Sequence, residues 1–266
     1  MKVGIAGFGT IGKVIGRALD NGIDGLELEA VCSGDRAKAA ANMKDYKRPV
    51  DVVDAEEVAR RCDIIAECVP KAVFMDIAEP ALKAGKVLVT VSGAGILVHP
   101  EVIDLAKEHG GRLILATGAL LGLDAVRAAA EGTIHEVRMI TRKPPNALIG
   151  APHLVENNIS VEGLNEPKKV FEGTAREGAA GFPANVNVAA ALGMAGIGPD
   201  ATKLEIWADP TLDRNTHTIR VDADSARFEL TIENVQSEEN PGTGKITALS
   251  VIACLRGLAS PFKVGS

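Results

Sequence analysis

A glycine-rich segment near the start of the chain, Gly7-Phe8-Gly9-Thr10-Ile11-Gly12, constrains the fold most. It directly follows an apolar run at residues 2–6 and opens residues 11–20, where apolar side chains recur at helical spacing. In such a strand–turn–helix setting, the three glycines allow a tight turn, the approach of a pyrophosphate, and close packing of the helix on the strand. The free N–H groups at the helix start then face the anion. The motif therefore predicts a dinucleotide site that includes Gly7, Gly9, Thr10, Ile11 and Gly12.

The first half of the chain alternates short apolar runs with helical patterns. The predicted strands are 2–6, 26–32, 51–53, 63–67, 86–91 and 112–117. Helical spacing is clear at 11–20 and 74–84, and Gly85 follows the second stretch where a helix C-cap favours glycine. Strand–helix repetition with nearly continuous apolar strands is typical of a parallel sheet covered on both faces. This half is predicted to form a doubly wound, Rossmann-type α/β domain.

The second half has a different pattern. A strand is predicted at 136–142, a helix begins near Pro183, and a last helix covers 245–258. Three further strands, at 203–208, 216–222 and 227–233, alternate polar and apolar residues. This alternation indicates a half-exposed sheet. We predict a second α+β domain with a mixed, largely antiparallel sheet.

Composition excludes several classes of function. The net charge is −6, aromatic residues make up only 3% of the chain, and there is no basic cluster, so nucleic acid is not an expected partner. The four cysteines have no metal-ligand spacing, which argues against zinc and fits a reducing compartment. No leader pattern precedes the first strand, and apolar runs are too short to span a membrane. We expect a cytoplasmic protein without a metal ion.

The segment after the second predicted strand leaves the choice of dinucleotide open. It contains Ser33, Asp35 and Arg36, but no acid directly at the strand end. An acid there would bind the 2′-hydroxyl of NAD, whereas Ser33 and Arg36 could hold the 2′-phosphate of NADP. We expect NAD or NADP as cofactor and hypothesise that both are used.

Three polar residues in the second half, His217, Asn185 and Asn187, have either a functional or a structural role. Period-2 alternation places His217 with Ile219 and Val221 on the inner face of its strand, where a histidine is either a catalyst or a hydrogen-bonded core residue. Asn185 and Asn187 lie two residues apart in the predicted helix, roughly 200° around its axis, so both cannot face one ligand. Helix capping is the alternative role, and it suits Asn185 better than Asn187.

Several motifs, spread over nearly the whole chain, resemble the L-aspartate dehydrogenases. They are Thr117-Gly118-Ala119-Leu120-Leu121-Gly122-Leu123-Asp124, Thr141-Arg142-Lys143-Pro144-Pro145, Phe171-Glu172-Gly173-Thr174-Ala175-Arg176-Glu177, Phe182-Pro183-Ala184-Asn185-Val186-Asn187-Val188, Ala208-Asp209-Pro210, Arg214-Asn215-Thr216-His217, Asn240-Pro241 and the final helix. The chain departs from the family where it carries Cys32-Ser33-Gly34-Asp35-Arg36 and Cys68-Val69-Pro70.

The resemblance implies NAD(P)-dependent oxidation of L-aspartate to iminoaspartate, which hydrolyses to oxaloacetate and ammonia, and the reverse amination. It also implies that Ala119 and Asn187 contact the cofactor, that His217 is catalytic, and that the product supplies NAD biosynthesis. Because the family's last helix returns to the first domain, we expect a dinucleotide domain at 1–119 rejoined by 243–266, and a catalytic and dimerisation domain at 120–242. A homodimer is expected. His217, with an ordinary pKa near 6.5, would shuttle protons, and oxidation would be favoured at alkaline pH.

Some questions stay open at this level. Two substrate carboxylates need partners, and N–H groups at the helix near Pro183 compete for that role with the side chains of Arg142, Lys143, Arg176, Arg214 and Lys245. The alternatives are another reductase of this architecture, of the homoserine dehydrogenase or dihydrodipicolinate reductase type, or a nicotinamide-binding sensor without catalysis. The histidine-pair signature of the dihydrodipicolinate reductases is not present.

Overall fold

The computed structural model describes residues 1–182, 186–240 and 242–265, apart from the side chain of Val186. The chain divides into two compact units. The first contains residues 1–118 together with residues 247 onward, and the second contains residues 119–246. Pro183 and Asn185, named above, lie outside the described residues.

The first unit is built on six parallel strands in the order β3-β2-β1-β4-β5-β6. This is the strand order of a dinucleotide-binding Rossmann fold, so the predicted fold class is confirmed. The strands are β1 (Lys2–Ala6), β2 (Glu27–Cys32), β3 (Asp51–Val53), β4 (Ile64–Glu67), β5 (Val87–Thr90) and β6 (Arg112–Leu115).

The helices of this unit include several short ones that the sequence patterns did not predict. Helix α1 begins at Thr10, directly after the second glycine of the motif, and α4 ends before Gly85, whose φ is +68°. The helices are α1 (Thr10–Asn21), α2 (Arg36–Asn42), α3 (Ala55–Arg61), α4 (Phe74–Lys83), α5 (Gly93–Val98), α6 (Glu101–Glu108) and, near the end of the chain, α11 (Lys245–Ala259).

The core of the first unit lies around its central strands. Val3 and Ile5 of β1 pack with Ile15 of α1, and Val251 and Leu255 of α11 join the same apolar cluster. Because Val251 and Leu255 are four residues apart, they lie on one side of α11. Burial of this face holds the last helix in the unit that carries the glycine loop.

The second unit contains a five-stranded sheet in the order β11-β10-β7-β9-β8. Its pairs are antiparallel except for β7 with β9, as the predicted mixed, largely antiparallel sheet requires. Strand β8 was not predicted. The strands are β7 (Ile134–Lys143), β8 (Lys168–Thr174), β9 (Lys203–Ala208), β10 (Asn215–Ala223) and β11 (Arg227–Asn234), and the helices are α7 (Leu123–Ala130), α8 (Pro152–Glu156), α9 (Ala175–Gly181) and α10 (Val186–Ala195).

One face of this sheet forms the core of the second unit. Val137 and Met139 of β7 and Ile219 and Val221 of β10 are buried, together with Leu192 of α10. We call this side of the sheet the inner face. Within the parts of the chain that the structure describes, no helix is both long and apolar enough to cross a membrane, and no group of acidic, histidine or cysteine side chains is arranged to hold a metal ion.

Candidate active site

The glycine loop between β1 and α1 needs glycine at two of its positions. Gly7 has φ +89°, and a Cβ there would lie 2.6 Å from the backbone oxygen of Cys68. A Cβ at Gly12 would lie 2.0 Å from the carbonyl oxygen of Gly7. Backbone atoms cannot move aside cheaply, so side chains are excluded at both positions. The loop is thereby held tightly against β4 and the start of α1.

The middle glycine of the motif, Gly9, keeps the approach to the helix open. Gly9 is the N-cap of α1, and a Cβ there would meet nothing within 4 Å. No side chain caps α1, and its first turn, which starts with Thr10 and Ile11, carries no acidic residue. The free N–H groups and the positive end of the helix dipole are therefore available to a phosphate. This cradle fits the pyrophosphate of a dinucleotide.

The end of β2, where the adenosine ribose binds in Rossmann folds, presents a cation more clearly than an acid. The carboxylate of Asp35 caps α2 by accepting a hydrogen bond from the N–H of Lys38 at 2.9 Å. Arg36 is exposed and forms no ion pair within the described residues. The guanidinium of Arg36 is therefore free to meet a 2′-phosphate.

A buried carboxylate fixes the loops at the carboxyl ends of β4 and β5. Glu67 accepts hydrogen bonds from the N–H of Val69 at 2.7 Å, the hydroxyl of Ser92 at 3.0 Å, and the hydroxyl of Thr90. Burial raises the pKa of Glu67 to about 7, although these hydrogen bonds act in the opposite direction. Because ligands of open α/β sheets bind at the carboxyl ends of the strands, Glu67 supports the wall of the dinucleotide site.

In the second unit, polar side chains occupy one end of the otherwise apolar inner face. On a strand, every second residue shares a face, and directly paired residues of neighbouring strands do so too. His217 pairs with Thr141, and Asn215 pairs with Asn234. This end is therefore made of five buried residues, which we call the polar end: Thr141, Lys143, Asn215, His217 and Asn234.

The imidazole at the polar end is sealed from solvent but hydrogen-bonded. His217 is 4% exposed, and its Nδ1 lies 3.0 Å from the hydroxyl oxygen of Thr141. Burial, and secondarily the charge of Lys143, lower the pKa of His217 to about 3. The ring is therefore neutral at physiological pH, and the predicted proton exchange near pH 6.5 does not describe the protein without its ligands.

Lys143 is the only one of the five cations considered from the sequence that has no acidic partner among the described residues. It is 4% exposed, and burial lowers the pKa of its amine to about 8. The other four lie beside carboxylates: Arg142 by Asp209 at 3.1 Å, Arg176 by Asp200 at 2.5 Å, Arg214 by Asp213 at 4.0 Å, and Lys245 by Glu238 at 3.0 Å.

Two further residues predicted to bind the cofactor lie in this unit. The carbonyl oxygen of Ala119 accepts a hydrogen bond from the side-chain amide of Asn234 at 3.1 Å, so Ala119 borders the polar end. The side-chain oxygens of Asn234 and Asn215 are buried and have no hydrogen-bond partner among the described residues. Asn187 is exposed in the first turn of α10. Unpaired buried oxygens are costly in a folded protein, which is typical of a site built for a ligand.

Sequence reasoning did not single out Thr141, Asn215, Asn234 or Glu67. The period-2 argument that places His217 on the inner face applies equally to β7, where it groups Thr141 and Lys143 with Val137 and Met139. That signal was available in the sequence. For Glu67 there was none beyond its place at the end of a strand, because its hydrogen-bond partners lie at the end of β5 and in the loops that follow β4 and β5.

An unobstructed phosphate cradle on a Rossmann sheet, with a buried imidazole and amine in a second unit, defines a dinucleotide-dependent oxidoreductase. The family model described as "Aspartate dehydrogenase, C-terminal" matches residues 124–258, and "Homoserine dehydrogenase, NAD binding domain" matches residues 7–116. The chain belongs to the L-aspartate dehydrogenase family.

Similar proteins agree over the full length. The chain is 54% identical to an L-aspartate dehydrogenase of Bradyrhizobium diazoefficiens, covering 100% of this chain and 94% of the relative. It is 49% identical to L-aspartate dehydrogenase 3 of Bordetella bronchiseptica, covering 100% and 98%. A crystal structure of aspartate dehydrogenase from Thermotoga maritima matches with a TM-score of 0.77 at 24% identity, covering 100% and 99%, which shows the shared fold.

Proposed function

We propose that the protein oxidises L-aspartate at Cα with NAD or NADP, giving iminoaspartate, which water converts to oxaloacetate and ammonia. The observation that carries this proposal is the polar end, where a neutral imidazole lies beside an ammonium that lacks an anionic partner among the described residues. The substrates in the relatives' names support the choice of aspartate. When bound, the nicotinamide supplies the hydride acceptor.

In this proposal His217 is the catalytic residue. The substrate's ammonium has to lose a proton before hydride leaves Cα, and a neutral imidazole presents a lone pair for that proton or for one from the attacking water. The hydroxyl of Thr141 fixes the orientation of the ring through Nδ1. A substrate carboxylate near Lys143 would offset the positive charge that helps to depress the pKa of His217 and so make the imidazole a better base.

The cofactor is assigned to the glycine loop and to two residues of the second unit. Gly7, Gly9, Thr10, Ile11 and Gly12 cradle the pyrophosphate, and Ala119 and Asn187 contact the nicotinamide portion. We further propose that the enzyme is a cytoplasmic homodimer and that its product iminoaspartate feeds NAD biosynthesis. These assignments rest on the resemblance of the sequence motifs to the family.

An absorbance assay of the reduced cofactor tests the reaction. With L-aspartate the wild type should reduce NAD or NADP, whereas L-homoserine and L-malate should give little signal. Substrate preference for homoserine would favour the alternative reductase class, which the match of residues 7–116 to a homoserine dehydrogenase model makes the relevant rival. Absence of turnover with all three substrates would favour the alternative of a nicotinamide-binding sensor without catalysis.

A variant of His217 tests the chemistry. H217A should lower kcat at least about 100-fold while cofactor affinity is retained, since general acid–base groups contribute at least that much. The matched control is H135A, because His135 lies exposed on the same sheet in β7. Near-normal turnover of H217A would remove His217 from the mechanism.

A further inference from the structure

The amine of Lys143 is an unusual feature for a strand interior. Lys143 is 4% exposed and ends β7, and its side-chain amine forms neither a hydrogen bond nor an ion pair with the described residues. A buried ammonium normally has a carboxylate partner, because desolvation of an isolated charge is strongly unfavourable. The structure thus supplies a cation and leaves the matching anion to be provided from elsewhere.

The described residues around Lys143 do not supply that anion. On β10 the inner-face neighbours are His217 and Asn215, both uncharged at neutral pH. On the other side β9 pairs Ala208 with Lys143. The carboxylate that follows, Asp209, is bound by the guanidinium of Arg142 and by the hydroxyl and N–H of Thr211. Its charge and both of its oxygens are therefore already engaged.

We propose that Lys143 is the anchor for a carboxylate of the substrate, held next to His217 at the polar end. This proposal rests on the proposed function and deepens it by assigning one of the two carboxylate subsites. Lys143 is the residue that fits because the four other cations considered from the sequence lie beside acidic side chains.

The location relative to His217 agrees with this role. Thr141 pairs with His217, and Lys143 lies two residues further along the same strand and on the same face. That separation is about 7 Å along the strand. A four-carbon dicarboxylate is short enough for its Cα to lie at the imidazole while one of its carboxylates reaches the ammonium.

The proposal predicts that the affinity for a dicarboxylate depends on pH, because the amine of Lys143 titrates. Lys143 must carry its proton to hold a carboxylate, and burial lowers the pKa of the free amine to about 8. A protonated His217 would be the charged group that couples to this amine, but His217 remains neutral near pH 8 and above. Affinity for a dicarboxylate should therefore fall about tenfold per pH unit above pH 8.

The test measures binding of succinate, a dicarboxylate that cannot be oxidised at an amine, to the cofactor-loaded enzyme by calorimetry. K143M should weaken succinate binding about 10- to 100-fold, as expected for loss of one charged hydrogen bond, and abolish the decline above pH 8. Cofactor affinity should change less than about twofold if the variant is folded. The matched control is K203M, which removes an exposed lysine from β9 that pairs with Glu136.

The outcomes separate the subsite from the reaction. Succinate affinity of K143M equal to that of the wild type, or no succinate binding by the wild type, overturns the subsite even if aspartate is oxidised. Loss of succinate binding in K143M, in an enzyme that does not oxidise aspartate, supports the subsite and refutes the proposed function. L-Asparagine, which retains only the α-carboxylate, identifies the carboxylate involved: K143M weakens its binding if the α-carboxylate is held, and leaves it unchanged if the side-chain carboxylate is held.

Discussion

Replacement of Lys143 by methionine is expected to stabilise the ligand-free enzyme at neutral pH. Burial lowers the pKa of the Lys143 amine from 10.5 to about 8. Because each pKa unit corresponds to 1.36 kcal/mol, the uncompensated charge costs the folded state about 3 kcal/mol. Methionine has a similar unbranched shape and adapts to irregular packing, so it removes the charge without a large cavity. A residue suited to bind a substrate carboxylate can thus lower the stability of the ligand-free protein.

The pH dependence distinguishes this effect from a change in packing. Between pH 8 and 10.5 the native state holds fewer protons at Lys143 than the unfolded chain, so the unfolding free energy of the wild type rises with pH in that window. K143M lacks this rise, and its advantage of about 3 kcal/mol at pH 7 should shrink as pH approaches 10.5.

Urea denaturation followed by circular dichroism, at pH 7 and again near pH 10, measures the difference between K143M and the wild type. K203M serves as the control, because Lys203 is exposed and ion-paired with Glu136. A K143M variant that is less stable than the wild type at pH 7 would refute the reasoning. A stability difference that does not change with pH would refute it as well.

Three further changes test the dinucleotide unit. G12A places a Cβ against the Gly7 carbonyl oxygen and should cost about 1–3 kcal/mol of stability and weaken cofactor binding, measured by denaturation and by fluorescence titration. The unfolding free energy of the wild type should fall by about 3 kcal/mol from pH 4.5 to pH 7, because the raised pKa of Glu67 makes the native state hold more protons there than the unfolded chain. E67Q should lack this fall, and equal pH profiles for E67Q and the wild type would contradict the reasoning. R36A should lower kcat/KM for NADP about 10- to 100-fold and leave that for NAD within about twofold, and equal losses for both would show that Arg36 does not bind the 2′-phosphate.

Much of the fold follows from patterns that are local in sequence. The six parallel strands were recognisable as short, mainly apolar runs, of which the central strands β1 and β4 are the most deeply buried, and β9 matches its predicted range, Lys203–Ala208. The unpredicted helices α2, α3 and α5 have only six or seven residues each, too short to show a helical period. Strand β8 alternates weakly and ends the sheet, so pairing with β9, rather than its own pattern, determines its structure.

The candidate site was predictable only in part, for a physical reason. Alternation placed His217 on the inner face, and the structure finds it there, yet its pKa depends on burial and on Lys143, which belongs to a different strand. Likewise, the sequence offered five cations as equal candidates. Only the ion pairs, formed by residues up to 67 positions apart, leave Lys143 without an acidic partner among the described residues.

Stability and chemistry are separated along the strands of the second unit. Val137, Met139, Ile219 and Val221 fill one part of the inner face with apolar side chains and contribute burial of nonpolar surface. Among the described residues, the polar end of the same face holds an isolated ammonium and two amide oxygens without hydrogen-bond partners, each of which lowers the stability of the empty protein. Since β7 and β10 continue through both regions, the apolar part fixes the register that aligns His217 with Thr141. A ligand that supplies a carboxylate and hydrogen-bond donors would then satisfy several of these groups at once, so binding should stabilise the second unit more than the contacts of any single residue would indicate.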